Sequence, residues 1–145
     1  MTYIPADLRT LVIARARESC EYCLVHADYA VLVHEIDHVI AEKHGGTTEA
    51  ENLAYTCQPC NRNKGSDLGS IYWPSGQLVP FFHPRRDHWT DHFALHGAFI
   101  HPLTAIGEVT ARILGFNSEE RRQERHGLIE EGRYPPPAAM IRIRQ

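Results

Sequence analysis

Apolar residues recur at helical spacing near the start of the chain. Leu8, Leu11 and Val12 fall on one side of a helix, and Pro5 can occupy its first turn without losing a hydrogen bond. The pattern predicts a helix over residues 5–18, with these three apolar side chains facing the core.

Four segments with different patterns follow. Residues 30–37 alternate and are rich in β-branched side chains, which predicts a strand. Residues 41–51 are polar and carry a Gly-Gly pair, which predicts a loop, and residues 52–56 predict a second short strand. A helix predicted over residues 61–69 completes the order strand, loop, strand, helix.

The second half of the chain begins with turns and a hairpin. Turn residues at 73–77 precede a short apolar edge strand predicted over residues 78–82. Residues 93–103 predict a hairpin around His96-Gly97. We find no internal repeat and no low-complexity linker.

Two helices are predicted after the hairpin. Thr104 is placed to cap a helix that runs to Leu114. Ser118 caps a last helix over residues 119–131, which Pro135-Pro136-Pro137 ends, and the remaining tail is expected to be loosely held. The first of these helices has an apolar stripe formed by Ile106, Val109, Ile113 and Leu114.

The composition is that of a globular protein of one domain. The chain has 145 residues, 43% of them apolar, and a formal net charge of −3. We expect a core over residues 1–70 with an extension over residues 71–145 packed on it. No apolar run approaches the roughly 20 residues that span a bilayer, and the N-terminus has no apolar signal segment, so a cytoplasmic protein is expected. The net charge argues against a protein that coats nucleic acid by electrostatics alone, but it leaves a nucleic-acid enzyme open.

All four cysteines fall in two Cys-x-x-Cys pairs. Cys20 and Cys23 form the first pair, Cys57 and Cys60 the second, and 33 residues separate them. This spacing predicts a closed tetrahedral thiolate site for structural zinc, with iron as the alternative metal. A closed site has no position for substrate, so we expect it to hold the turn that delivers Asn61.

A second group of residues suits a different metal. Asp37 and His38 lie at the end of the first predicted strand, and Asn61 follows the second cysteine pair. Carboxylate and amide oxygens suit Mg²⁺ or Mn²⁺, and an imidazole that titrates near neutral pH suits a general base. Arg62 and Lys64 follow Asn61 closely and are candidates for contacts with nucleic-acid phosphates.

These motifs together resemble the zinc-binding HNH endonucleases. The resemblance covers residues 20–66, and a softer similarity to a bacterial HNH subgroup runs from residue 79 through the last two predicted helices. The motifs that carry it are Cys20-x-x-Cys23, Ile36-Asp37-His38-Val39-Ile40, Gly45-Gly46, Asn52-Leu53, Cys57-x-x-Cys60-Asn61 and Lys64-Gly65.

The resemblance implies both a fold and a chemistry. The fold is α+β, with a ββα-metal (His-Me finger) core braced by the four-cysteine zinc site, an N-terminal helix and a C-terminal extension of a hairpin and helices. His38 would be the general base, Asp37 and Asn61 would hold a catalytic Mg²⁺ or Mn²⁺, and Asn52 would hold the strands and loop in place. Asn61 replaces the last histidine of the family pattern, which makes this an H-N-N version. The expected activity is hydrolysis of DNA, with RNA left open.

Two other classes of function fit the sequence less well than an endonuclease. A zinc-ribbon module that binds nucleic acid or protein without catalysis is the main rival, but it has no use for a carboxylate beside phosphate. A thiol redox protein is disfavoured because it usually needs one exposed cysteine pair, not two matched pairs.

The remaining charged and aromatic residues are assigned to surface and core. A solvated surface is favoured for Arg85 and Arg86 over contact with phosphate. Arg121 and its neighbours over residues 119–125 have mixed charges and are predicted to form an exposed helix face. Four aromatic residues are predicted to lie in the core: Trp73, Phe81, Phe82 and Trp89.

Overall fold

The computed structural model describes residues 2–144 and has an α+β fold, as expected. Its six strands form three separate antiparallel hairpins among the described residues. The strands are β1 (Glu35–His38), β2 (Leu53–Thr56), β3 (Gly69–Tyr72), β4 (Gln77–Pro80), β5 (Phe93–His96) and β6 (Phe99–Pro102).

Six α-helices surround the hairpins in the described part of the chain. Among the described residues, no helix has the length and hydrophobicity of a membrane-spanning segment. The helices are α1 (Ala6–Arg15), α2 (Gln58–Lys64), α3 (Trp89–His92), α4 (Ala105–Ile113), α5 (Glu119–Glu130) and α6 (Pro137–Arg144).

The hairpin of β1 and β2 is followed by α2, which confirms the predicted order strand, loop, strand, helix. Glu35 pairs with Thr56 at one end of this hairpin, and His38 pairs with Leu53 at the other. The strand predicted over residues 30–37 is wrong in its first half, because residues 30–34 lie outside β1 and Val31 is 94% exposed. Glu35 already pairs with Thr56, the last residue of β2, and the chain then turns into the second cysteine pair. Residues 30–34 therefore have no strand residues opposite them.

The N-terminal helix is shorter than predicted. It ends at Arg15, and two residues with left-handed backbone conformation, Arg17 and Glu18, lead into the first cysteine pair. Val12 is fully buried, as predicted, but Leu11 is 46% exposed, so its assignment to the core was wrong. Val12 packs in a small apolar cluster with Leu53 of β2, which holds α1 against the hairpin.

The helix after β2 begins earlier and ends earlier than predicted. It starts at Gln58, with Pro59 in its first turn, so the second cysteine pair lies at the helix start. It ends at Lys64 because Gly65 adopts φ +53°. The predicted helix over residues 61–69 was therefore wrong beyond Lys64, and β3, which the sequence did not predict, starts at Gly69.

The hairpin and the two capped helices of the extension are confirmed. The Thr104 side chain accepts a hydrogen bond from Gly107 N, and the Ser118 side chain accepts one from Arg121 N. The prediction of a loosely held tail was wrong, because residues 137–144 form α6. The assignment of Trp73 to the core was also wrong, because this residue is 71% exposed at the turn between β3 and β4.

The extension packs directly on the first cysteine pair. Trp89 Nε1 donates a 2.8 Å hydrogen bond to Tyr22 O, and the Tyr134 hydroxyl donates one of 2.8 Å to Cys23 O. Phe93 lies 5.1 Å from Trp89 and 5.5 Å from Phe116, measured between ring centres. This aromatic core fixes the segment between Cys20 and Cys23 against the second half of the chain.

Candidate active site and metal centre

The four cysteines meet at one buried point. Their Sγ atoms all lie within 4.8 Å of one another, and Cys23 Sγ is 3.6 Å from Cys57 Sγ. A tetrahedral zinc ion at a Zn–S distance of about 2.3 Å would separate its sulfur ligands by about 3.8 Å. The cluster therefore fits zinc closely, and all four positions are filled by the protein.

The electrostatics of the cluster also favour a cation. The pKa of the Cys23 thiol is lowered, mainly by its hydrogen bond with Cys20. The pKa of the Cys60 thiol is raised, mainly by burial. Four buried thiols so close together cannot all ionise without a counter-charge. A divalent cation provides that charge and binds the thiolate forms.

Arg121 of α5 lies over the thiolates. Its Nη2 is 3.1 Å from Cys60 Sγ and 3.6 Å from Cys57 Sγ, and its Nη1 donates to Leu114 O at 2.7 Å. The prediction that Arg121 belongs to an exposed helix face was wrong. Arg125, one turn further along α5, is also buried, and its guanidinium is bound by backbone carbonyls.

Glu21, between the first two cysteines, is the buried anion of a second charged contact. One carboxylate oxygen accepts a 2.9 Å hydrogen bond from Tyr55 N, and the other contacts Arg85 and lies 3.6 Å from Arg142. Arg85 is therefore not a solvated surface residue as predicted. Burial lowers the pKa of Arg85 to about 10. These contacts connect the cysteine pair to β2, to the segment before α3 and to α6.

Asp37, His38 and Asn61 line one solvent-open cleft of about 620 Å³. Asp37 and His38 come from the end of β1, and Asn61 comes from α2. Because β1 ends at His38, two adjacent side chains of one strand can both reach the cleft. Glu35 and Arg9 also line it.

The imidazole of His38 is held through one ring nitrogen. His38 Nε2 lies 2.9 Å from Thr48 Oγ1 and 3.4 Å from Glu42 Oε1. A proton on Nε2 satisfies both oxygens and leaves the lone pair on Nδ1. Thr48 and Glu42 therefore favour the tautomer in which Nδ1 of His38 is free to accept a proton.

Asp37 is held by a buried lysine. Lys64 Nζ lies 2.9 Å from Asp37 Oδ2 and donates a 3.1 Å hydrogen bond to His38 O. The Lys64 side chain is 2% exposed and the Asp37 side chain 12% exposed. Burial raises the pKa of Asp37, and the Lys64 charge opposes that rise. Lys64 was expected to contact phosphate, but its side chain does not lie on the surface. Arg62, the other candidate for phosphate contact, is exposed and donates a 2.8 Å hydrogen bond to Gln58 Oε1.

Asn61 contacts a carboxylate that sequence reasoning missed. Its Nδ2 donates to Glu35 Oε2, and this leaves the amide oxygen for another partner. Glu35 is two residues before Asp37 on the same strand, so the strand periodicity could have placed both carboxylates on one face. Asp37, Asn61 and Glu35 supply the hard oxygen donors that fit Mg²⁺ or Mn²⁺.

Asn52 closes the loop between β1 and β2. Its Nδ2 donates to Ile40 O and Thr47 O, and its Oδ1 accepts from Ile40 N, each at 2.9 Å. The backbone approaches so closely that a Cβ on Gly46 would lie 1.7 Å from Ile40 O. The Asn52 amide is thus fully engaged with backbone groups, and Gly46 is required beside it.

Part of the chain matches a model of a known protein family. Residues 20–67 match the family model described as HNH endonuclease. That segment contains both cysteine pairs, the hairpin of β1 and β2, and α2. A search of curated proteins and a search of solved structures gave no match. Residues 20–67 therefore form a segment that matches the HNH endonuclease domain, and this segment carries a four-cysteine site suited to zinc.

Proposed function

We propose that the protein is a metal-dependent endonuclease that hydrolyses phosphodiester bonds of DNA. The observation that supports this function most strongly is the shared cleft of Asp37, His38 and Asn61 within the HNH domain. A binding module has no need for a base and hard oxygen ligands in one open cleft. DNA, rather than a membrane or a small molecule, is the proposed partner, and the cytoplasm is the proposed location.

His38 acts as the general base. Thr48 and Glu42 hold its Nε2, so Nδ1 takes a proton from water. The water oxygen then attacks the phosphorus, and the bond from phosphorus to the 3′ oxygen breaks. The products are a 5′-phosphate and a 3′-hydroxyl, whose proton comes from solvent.

Asp37 and Asn61 are the residues that would hold a divalent ion in the cleft, and Glu35 is placed to assist them. When bound, Mg²⁺ or Mn²⁺ stabilises the charge that develops on the phosphate and on the leaving oxygen. Arg9 lines the same cleft and Arg62 lies exposed on α2, so both are placed to contact phosphates of the substrate.

The zinc site serves this cleft from a distance. Cys57 and Cys60 lie at the start of α2, directly before Asn61, so zinc binding fixes the position of that amide relative to Asp37. Asn52 acts in a similar way, since it holds the loop that follows His38. A Cys57→Ser protein that lacks zinc should lose cleavage because the cleft loses its geometry.

The test is cleavage of supercoiled plasmid DNA by zinc-loaded protein, with Mg²⁺, with Mn²⁺ or with no added divalent ion. The expected result is cutting that requires the added ion. A folded, zinc-loaded protein that binds DNA but never cuts it would instead be a non-catalytic zinc module. A matched RNA substrate in the same assay distinguishes a DNA enzyme from one that accepts either nucleic acid.

A further inference from the structure

Two contacts of similar form join α2 to β1. Asn61 contacts Glu35, and Lys64 contacts Asp37. Residues three apart lie on one face of a helix, and residues two apart lie on one face of a strand. The helix therefore presents an amide and an ammonium to two successive carboxylates of the strand.

We propose that Lys64 is a positioning residue of the active site, which fixes Asp37 and the His38 backbone and lowers the negative charge that the catalytic ion meets. This inference rests on the proposed function. Lys64 Nζ bridges the Asp37 carboxylate and the His38 carbonyl at 2.9 and 3.1 Å. One ammonium thus anchors the carboxylate that would bind the ion and the residue that would act as base.

The burial of Lys64 argues against a role in solvent or on phosphate. A lysine is rarely as buried as this one, which is 2% exposed, unless its charge is paired. The energy of removing an ammonium from water is offset only by well-placed partners, and both of its partners come from the end of β1. Lys64 therefore holds α2 and β1 in register beside the cleft.

The charge of Lys64 has a second effect. Glu35, Asp37 and Glu42 make the cleft acidic, and Lys64 is the cation in direct contact with Asp37. Because a divalent ion on Asp37 would be repelled by the ammonium across the carboxylate, the native site binds the ion more weakly than the carboxylates alone would. Loss of this charge should tighten ion binding while it loosens the geometry needed for reaction.

This pair of effects separates positioning from the alternatives. If Lys64 contacted a phosphate, its replacement would reduce the salt dependence of DNA binding by about one counterion. A merely structural Lys64 would weaken ion binding and turnover together. A positioning Lys64 changes them in opposite directions, and Arg62→Met rather than Lys64→Met should reduce the salt dependence.

The experiment compares wild type, Lys64→Met and Lys64→Gln, with Lys43→Met as the control for loss of one exposed positive charge. Calorimetry measures Mn²⁺ binding to each zinc-loaded protein without DNA, and single-turnover cleavage of plasmid is measured at saturating Mn²⁺. We expect the Lys64 variants to bind Mn²⁺ roughly three- to tenfold more tightly. We also expect them to cleave at least about tenfold more slowly, because small displacements of reacting groups are expensive.

The outcomes are distinguishable. Unchanged cleavage, or a parallel loss of ion affinity and cleavage, in a folded Lys64 variant would overturn the proposal. If neither variant folds, Lys64 is a folding residue and the proposal also falls. A wild-type protein that cuts no DNA would remove the proposed function, while the Mn²⁺ affinities would still report on Lys64.

Discussion

Arg121 Nη2 lies 3.1 Å from Cys60 Sγ, although the two residues are 61 positions apart in the chain. The guanidinium is fixed from the other side by Leu114 O. A charged hydrogen bond to a metal-bound sulfur stabilises the thiolate form, so a residue of the C-terminal extension supports the metal site of the HNH domain.

Replacement of Arg121 should weaken the hold on zinc. Arg121→Met keeps the length of the side chain but removes the charge and the donors, and we expect zinc transfer to a chromogenic chelator to become about tenfold faster. Arg122→Met is the matched control, because Arg122 is exposed and donates to Asn117 O instead. Equal release rates for Arg121→Met and wild type would show that the contact does not stabilise the site.

The buried carboxylate of Glu21 should be required for stability. Glu21→Gln keeps the shape but leaves Arg85 and Arg142 without their anion, which we expect to lower the free energy of unfolding by about 3 kcal/mol. Urea denaturation measures this change. Glu49→Gln, at an exposed position, should stay within about 0.5 kcal/mol of wild type. A similar small change for Glu21→Gln would contradict the assigned role.

Residues whose roles follow from local sequence were predicted well, and residues whose roles depend on distant partners were not. The two cysteine pairs and the caps Thr104 and Ser118 act over a few residues, and spacing alone reveals them. Arg85 contacts Glu21 across 64 positions, so no window of sequence contains both partners. A charged residue was therefore assigned to the surface by default, since burial of a charge is rare without a partner.

The same reason explains the errors within the site. Asp37, His38 and Asn61 were grouped by their motif, and the cleft contains all three. Glu35 and Lys64 belong to the same cluster, but their contacts arise from the packing of α2 on β1. The exposed Val31 shows the converse, because a β-branched pattern forms a strand only where a partner strand is available.

Loss of the Asn52 amide should destabilise the loop and slow cleavage without removing a ligand. Asn52→Ala leaves three hydrogen bonds to backbone groups of the loop unmade, and we expect the free energy of unfolding to fall by about 2–4 kcal/mol. Denaturation measures the loss, and Thr47→Ala is the control because its exposed side chain can be removed without its carbonyl. A variant with wild-type stability would show that Asn52 does not hold the loop.

His83 should make stability depend on pH. Its Nδ1 accepts a hydrogen bond from Arg85 N, and burial lowers its pKa below the ordinary value of 6.5. The unfolded chain then binds more protons than the folded one between the two pKa values, so His83 makes the protein less stable as the pH falls below 6.5. The urea midpoint at pH 7.5 and at pH 5.5 measures this effect. His83→Asn should reduce the difference between the two urea midpoints, whereas the exposed control His88→Gln should not. The same difference in wild type, His83→Asn and His88→Gln would contradict the prediction.

The role of His38 is the centre of the proposed function, and one comparison tests it directly. Zinc-loaded wild type, His38→Ala and His44→Ala are incubated with supercoiled plasmid at saturating Mg²⁺, and the first-order cleavage rates are measured. His44 is an exposed histidine of the neighbouring loop. We predict that His38→Ala loses at least about a hundredfold in rate while it still binds Mn²⁺ and DNA, and that His44→Ala cuts like wild type. Cleavage by His38→Ala at the wild-type rate would contradict the assignment of His38 as the general base.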